Sequence, residues 1–176
     1  VIYEGASELN GEDIIAVALL KQSKNSKTGA MVQTVILVKD IDPITANRIG
    51  EDYSICGNCP HKGIPNLQKE KGTADKRPCY VTLAHTPLIV YKSYKKGNYP
   101  MLQGHEDIAE LGKDKEVRLG TYGDPSAVPS YVWDSLLSKS KGRTGYSHQF
   151  GVQGADVRPD MCMISVESTQ EAEHQW

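Results

Sequence analysis

The run Cys56-Gly57-Asn58-Cys59-Pro60-His61, answered by Cys79, limits what this chain can fold into more than any other stretch. Two cysteines three positions apart across a Gly-Asn turn can aim both sulfurs at one centre, because both turn residues tolerate left-handed backbone. His61 follows two residues later, and Cys79 opens the next apolar run. The pattern Cys-x2-Cys-x-His-x17-Cys supplies the soft and borderline donors of tetrahedral zinc. The expected ligands are therefore Cys56, Cys59, His61 and Cys79, with Cys162 competing for the fourth position. Cys162 lies in the apolar run Met161–Val166, where a buried structural cysteine is the plainer reading. An iron–sulfur cluster is the alternative metal group, and a redox dithiol, disulfides or inert buried cysteines are the metal-free readings. Close Cys-x2-Cys pairs belong to metal or redox sites more often than to structural staples.

The stretch between His61 and Cys79 is polar and rich in Lys and Gly, without a core pattern. A metal that clamps both of its ends would relieve it of needing one. The sequence thus predicts a metal-knuckle insertion over residues 54–79 within a single domain spanning 1–176. With 39% hydrophobic residues, the chain can build a core without disulfides. The net charge of −2 confines any nucleic-acid contact to local patches. No apolar run reaches the roughly 18 residues of a membrane span. The chain opens without a basic region or an apolar signal core, and its cysteine pattern favours a reducing compartment, so a cytoplasmic location is expected. It stops at Gln175-Trp176 in the middle of helix-like sequence, which suggests that a longer natural protein continues.

In chain order, Ile14–Leu20 and Met31–Val38 read as two strands around a basic tip carrying Lys21, Lys24 and Lys27. Asp42 and Pro43 mark a helix start and Gly50 its stop. Cys79–Ala84 reads as a strand, and Thr86–Lys96 as a helix stopped by Gly97. That helix interleaves Lys92, Lys95 and Lys96 with Tyr91 and Tyr94, a combination suited to a nucleic-acid backbone and its bases. A wetted amphipathic helix explains the same residues. Further strands are expected at Val117–Tyr122, Thr144–Phe150 and Met161–Val166, with helices over Pro129–Lys139 and from Gln170. Strand and helix in alternation predict an α/β fold: a mostly parallel sheet, open or part of a barrel, with the N-terminal β-hairpin packed beside it.

Ligands of such sheets sit off the carboxyl ends of the strands. Those ends offer His85, Asp124, His148 with Gln149, and Glu167 with Ser168. Asp124, His148 and Glu167 are the expected catalytic set, able to hold a metal or to exchange protons. Asp124 and Glu167 also stand where helix caps belong.

The blocks Ser26–Gly29, Cys56–His61, Cys79–Val81, Arg118–Pro125 and Thr144–Gln149 resemble those of a bacteriophage protein family without assigned activity. The resemblance covers most of the chain, and its most specific matches are the knuckle and Arg118-Leu119-Gly120-Thr121-Tyr122-Gly123-Asp124-Pro125. It implies a phage origin and no particular reaction. The strand with Gly-Asp-Pro also resembles part of the barrel of radical S-adenosylmethionine enzymes, whose Cys-x3-Cys-x2-Cys spacing this chain lacks. The sequence therefore leads to a phage-encoded zinc protein that acts on or binds nucleic acid. One rival is a non-enzymatic interaction protein, either an inhibitor of host defence or a particle component that contacts a host or phage protein. The other is an iron–sulfur redox or radical enzyme.

Overall fold

The computed structural model describes residues 1–21, 29–152, 155–156 and 158–175. β1 (Tyr3–Ala6), β2 (Asp13–Leu19) and β3 (Val32–Val38) form an antiparallel meander. β3 then pairs in parallel with β4 (Glu116–Tyr122), and β4 in parallel with β5 (Gly142–Thr144). The sheet order is β1-β2-β3-β4-β5. A second, two-stranded parallel sheet joins β6 (Tyr146–Ser147) to β7 (Met163–Ile164).

The expected mostly parallel sheet or partial barrel is therefore wrong. The main sheet is mixed, its longer ladders lie on the antiparallel side, and among the described residues no sheet closes into a barrel. The cause is the N-terminal hairpin, which supplies two of the sheet's five strands instead of packing beside it. Short connections such as the Asn10-Gly11 turn, with Gly11 at φ 80°, impose antiparallel neighbours. Parallel pairing begins only after the long crossover from β3 to β4.

A second cause is the loss of an expected strand. Cys79–Ala84 carries β-forming residues but joins no ladder. The Cys79 N–H donates to the His61 carbonyl at 3.1 Å. Nη1 of Arg77 donates to the carbonyls of Cys79 at 3.2 Å and Val81 at 2.9 Å. With its backbone groups held this way, the segment needs no sheet partner. The expected strands over 144–150 and 161–166 shrink to the two-residue β6 and β7. The basic tip with Lys24 and Lys27 lies outside the described residues.

Local signals fared better. α1 (Pro43–Ile49) starts where predicted, with the Asp42 carboxylate accepting from the N–H groups of Ile44 at 3.0 Å and Thr45 at 3.1 Å. α2 (Tyr53–Cys56) leads into the knuckle, and α3 (Thr86–Lys95) stops before Gly97. α4 (His105–Gly112) was not among the predicted helices. It lies against α5 (Ser130–Leu137) so closely that a Cβ on Gly112 would sit 2.0 Å from the Leu136 carbonyl oxygen. α6 (Thr169–Gln175) follows β7. The core is continuous through Ile14, Ile15, Val17, Val35, Ile36 and Trp133. Successive residues of β2 and β3 are buried, so both faces of the central strands are covered. Among the described residues no helix is long and apolar enough to cross a membrane.

Candidate metal centre

The loop from 62 to 78, read as lacking any core pattern, is stitched by polar contacts. Ile64 and Asp75 exchange two backbone hydrogen bonds of 2.8 Å, and the buried Asn47 accepts from the Ala74 N–H at 2.9 Å. These bonds tie down the loop whose ends, at Lys62 and Arg77, line a cavity of about 820 Å³. Further lining comes from the carboxyl ends of strands and the segments after them: Tyr122 at the end of β4 with Gly123 and Asp124, His148 after β6, and Ser165 to Glu167 after β7. These segments come from two sheets, β4 from the mixed one and β6 and β7 from the two-stranded one.

A short 3-10 turn at Pro60–Lys62 turns His61 into this cavity. Its Nε2 lies 3.1 Å from Oε1 of Glu167. His148 Nε2 lies 3.2 Å from the same oxygen. The two imidazoles meet edge to face, with ring centres 5.3 Å apart. Among the described residues, this trio forms the group of three donors whose ligating atoms all lie within 4.8 Å of one another. His61, expected beside the cysteines, thus joins His148 and Glu167 from the expected catalytic set.

Asp124 has a different part in the site. Its Oδ1 accepts from the N–H of Ser126 at 3.1 Å and its hydroxyl at 2.8 Å. Its Oδ2 accepts from the His148 N–H at 2.9 Å and from Gln149 Nε2 at 3.3 Å. A carboxylate so fully engaged holds the His148 backbone and has little capacity left for proton exchange. Gln149, wholly buried, extends the frame: it also donates to the Cys56 carbonyl at 3.0 Å and accepts from the Asn58 N–H at 2.9 Å. Hydrogen bonds thereby tie the knuckle to the His148 segment.

Cys56, Cys59 and Cys79 line the same cavity as free thiols. Burial pushes the Cys56 thiol well up from its ordinary value and raises Cys59 as well. Cys162 is buried outside the cavity lining, and burial raises its thiol to about 11.

Beneath the thiols lies a group that the sequence did not announce. Among the described residues, the buried side-chain atoms without a hydrogen-bond partner are Arg48 Nε, Asp52 Oδ1, Arg77 Nε and Tyr122 Oη. The last three belong to residues lining the cavity. Burial pushes Asp52 up to about 6, against hydrogen bonding from Asn47 and the charges of Lys62 and Arg77. Nothing local in the sequence marks these residues, because burial of a lone Asp or Tyr is a tertiary property.

None of the five residues proposed for nucleic acid, four on α3 and Lys96 just after it, lines the cavity. Lys95 pairs with Asp40 at 3.0 Å, and the Tyr94 hydroxyl donates to Glu4 at 3.1 Å. Tyr91 and Tyr94 pack against the core, while Lys92 and Lys96 are exposed. The tyrosines on this helix are thus occupied.

In comparisons with known proteins, no family model matches this chain, and no curated protein or solved structure matches it.

Proposed function

We propose that this chain binds one transition-metal dication, zinc in the first instance, through His61, His148 and Glu167, and uses it on a substrate held in the adjoining cavity. The observation that carries the reading is the meeting of two imidazole Nε2 atoms on a single carboxylate oxygen, at 3.1 and 3.2 Å. Ligands about 2.0–2.1 Å from a tetrahedral zinc lie about 3.3 Å apart, a spacing that both imidazoles already have to the Glu167 oxygen, with all three donors within 4.8 Å of one another. Two His and one Glu, open on one side, are a catalytic donor set and leave a position for water or substrate. A bound dication supplies Lewis acidity and lowers the pKa of coordinated water. The chain's own part is orientation: Asp124 and Gln149 fix His148, and the 3-10 turn fixes His61.

For the substrate, nucleic acid is the proposal, and its support comes from the cavity mouth rather than from α3. Tyr80 is 76% and Tyr146 51% exposed, and an Arg118 Nη2 donates to the Tyr80 hydroxyl at 2.9 Å. Exposed aromatic faces beside a guanidinium suit a base and its phosphate. The phage origin implied by the sequence resemblance is retained as a proposal and adds no chemistry.

The test is metal content after equilibrium dialysis against zinc, for the natural chain and for His148→Ala and Glu167→Gln. Each variant is expected to lose one zinc per chain while keeping its fold by circular dichroism. Equal zinc in all three proteins overturns the reading.

A further inference from the structure

We propose that Cys56, Cys59 and Cys79 hold an iron–sulfur cluster, separate from the ion at His61, His148 and Glu167, with one iron left open to the cavity. The three thiols line one cavity of about 820 Å³, unpaired by any disulfide. A single zinc about 2.3 Å from three sulfurs would hold them roughly 3.8 Å apart. The thiols form no group whose sulfurs all lie within 4.8 Å of one another, whereas the neighbouring imidazoles and carboxylate do form such a group. A trio too wide for one ion, yet lining one cavity, suits a cluster, whose irons are separate points of attachment. His61, the expected fourth ligand, is turned toward Glu167, so three thiolates would leave one iron without a protein ligand.

The surrounding polar atoms fit the same occupant. The Tyr122 hydroxyl and Arg77 Nε–H are buried donors without partners, and another nitrogen of the Arg77 guanidinium already holds the Cys79 carbonyl. Cluster sulfides accept hydrogen bonds, and such bonds set the reduction potential. Two donors that nothing in the protein satisfies, beside three free thiols, are what a sulfide-bearing group would engage. An additional guanidinium at Arg118 and the Lys62 ammonium on the cavity wall bring positive charge to an anionic assembly.

The experiment is anaerobic reconstitution of the full chain with ferrous iron and sulfide, followed by iron and acid-labile sulfide analysis and visible and electron paramagnetic resonance spectra. The expected result is a brown protein with iron and sulfide in equal amounts, about four of each for a cubane cluster. Cys59→Ala should lose both, and Cys162→Ala should keep them. Should Cys59→Ala fail to fold, Tyr122→Phe decides, because it removes no ligand: cluster content stays and the reduction potential falls. His148→Ala and Glu167→Gln should keep the cluster while losing zinc, which separates failure of this proposal from failure of the zinc site. The proposal is overturned by zinc retention that depends on Cys59 with no labile sulfide. It is equally overturned by a cluster that survives Cys59→Ala, or by an unchanged potential in Tyr122→Phe.

Discussion

Gly57 leaves room for Gln149: a Cβ built on Gly57 would lie 2.1 Å from the Gln149 Oε1, and Gly57 itself sits at φ 50°. No side chain fits there, and the backbone angle disfavours one independently. Gly57→Ala must therefore displace the amide that joins Cys56, Asn58 and Asp124. A loss of roughly 2–4 kcal/mol is expected, the sum of left-handed strain and broken buried hydrogen bonds. Urea denaturation measures it, and a variant as stable as the parent means that Gln149 does not occupy this place.

Asp124→Asn separates a positioning carboxylate from a reacting one. Asn keeps one acceptor oxygen, so its amide nitrogen must face donors from either Ser126 or His148 and Gln149. The expected cost is about 2–3 kcal/mol of stability, with weaker zinc binding because the His148 backbone loosens. Unchanged stability with abolished activity points instead to a direct chemical role for Asp124.

Asp52 imposes a pH dependence on folding. The folded state keeps this proton up to pH about 6, while the unfolded chain releases it near 3.8. Between those values the folded state binds more protons, so stability falls as pH rises through the window. The loss attributable to this group is on the order of 2–3 kcal/mol. Asp52→Asn, measured by denaturation at pH 5 and again above pH 7, should gain on the metal-free parent as pH rises. A difference between the two proteins that does not change with pH removes Asp52 as the source.

The proposed nucleic-acid binding has two candidate surfaces, α3 and the cavity mouth, and they can be ranked. Lys92, Lys95 and Lys96 changed together to Gln should leave the denaturation midpoint unchanged, since exposed pairs contribute little. Binding to a single-stranded oligonucleotide should fall less in that triple variant than in Tyr80→Ala with Arg118→Gln. Fluorescence anisotropy over a salt series decides, and the opposite ranking returns the interface to α3.

What the sequence determined alone was local. Asp42, Pro43 and Gly50 delimit α1 because capping needs only neighbours within one turn. The Gly-Asn turn between Cys56 and Cys59 needs only the backbone freedom of its own residues. Asp124, His148 and Glu167, picked for chemistry at strand ends, follow β4, β6 and β7 and line one cavity, although β4 belongs to a different sheet from β6 and β7. The tertiary structure decided their partners. His61 stands with Glu167, 106 positions away, and no spacing rule reaches that far. Cys79–Ala84 has a strand's composition and becomes an irregular segment because Arg77 and His61 take its backbone groups. The hairpin joined the sheet instead of flanking it because pairing register is settled by long-range burial of both faces of β2 and β3. Asp52 and Tyr122 gain their meaning from burial, which is a property of the surroundings and has no signature in the residue itself.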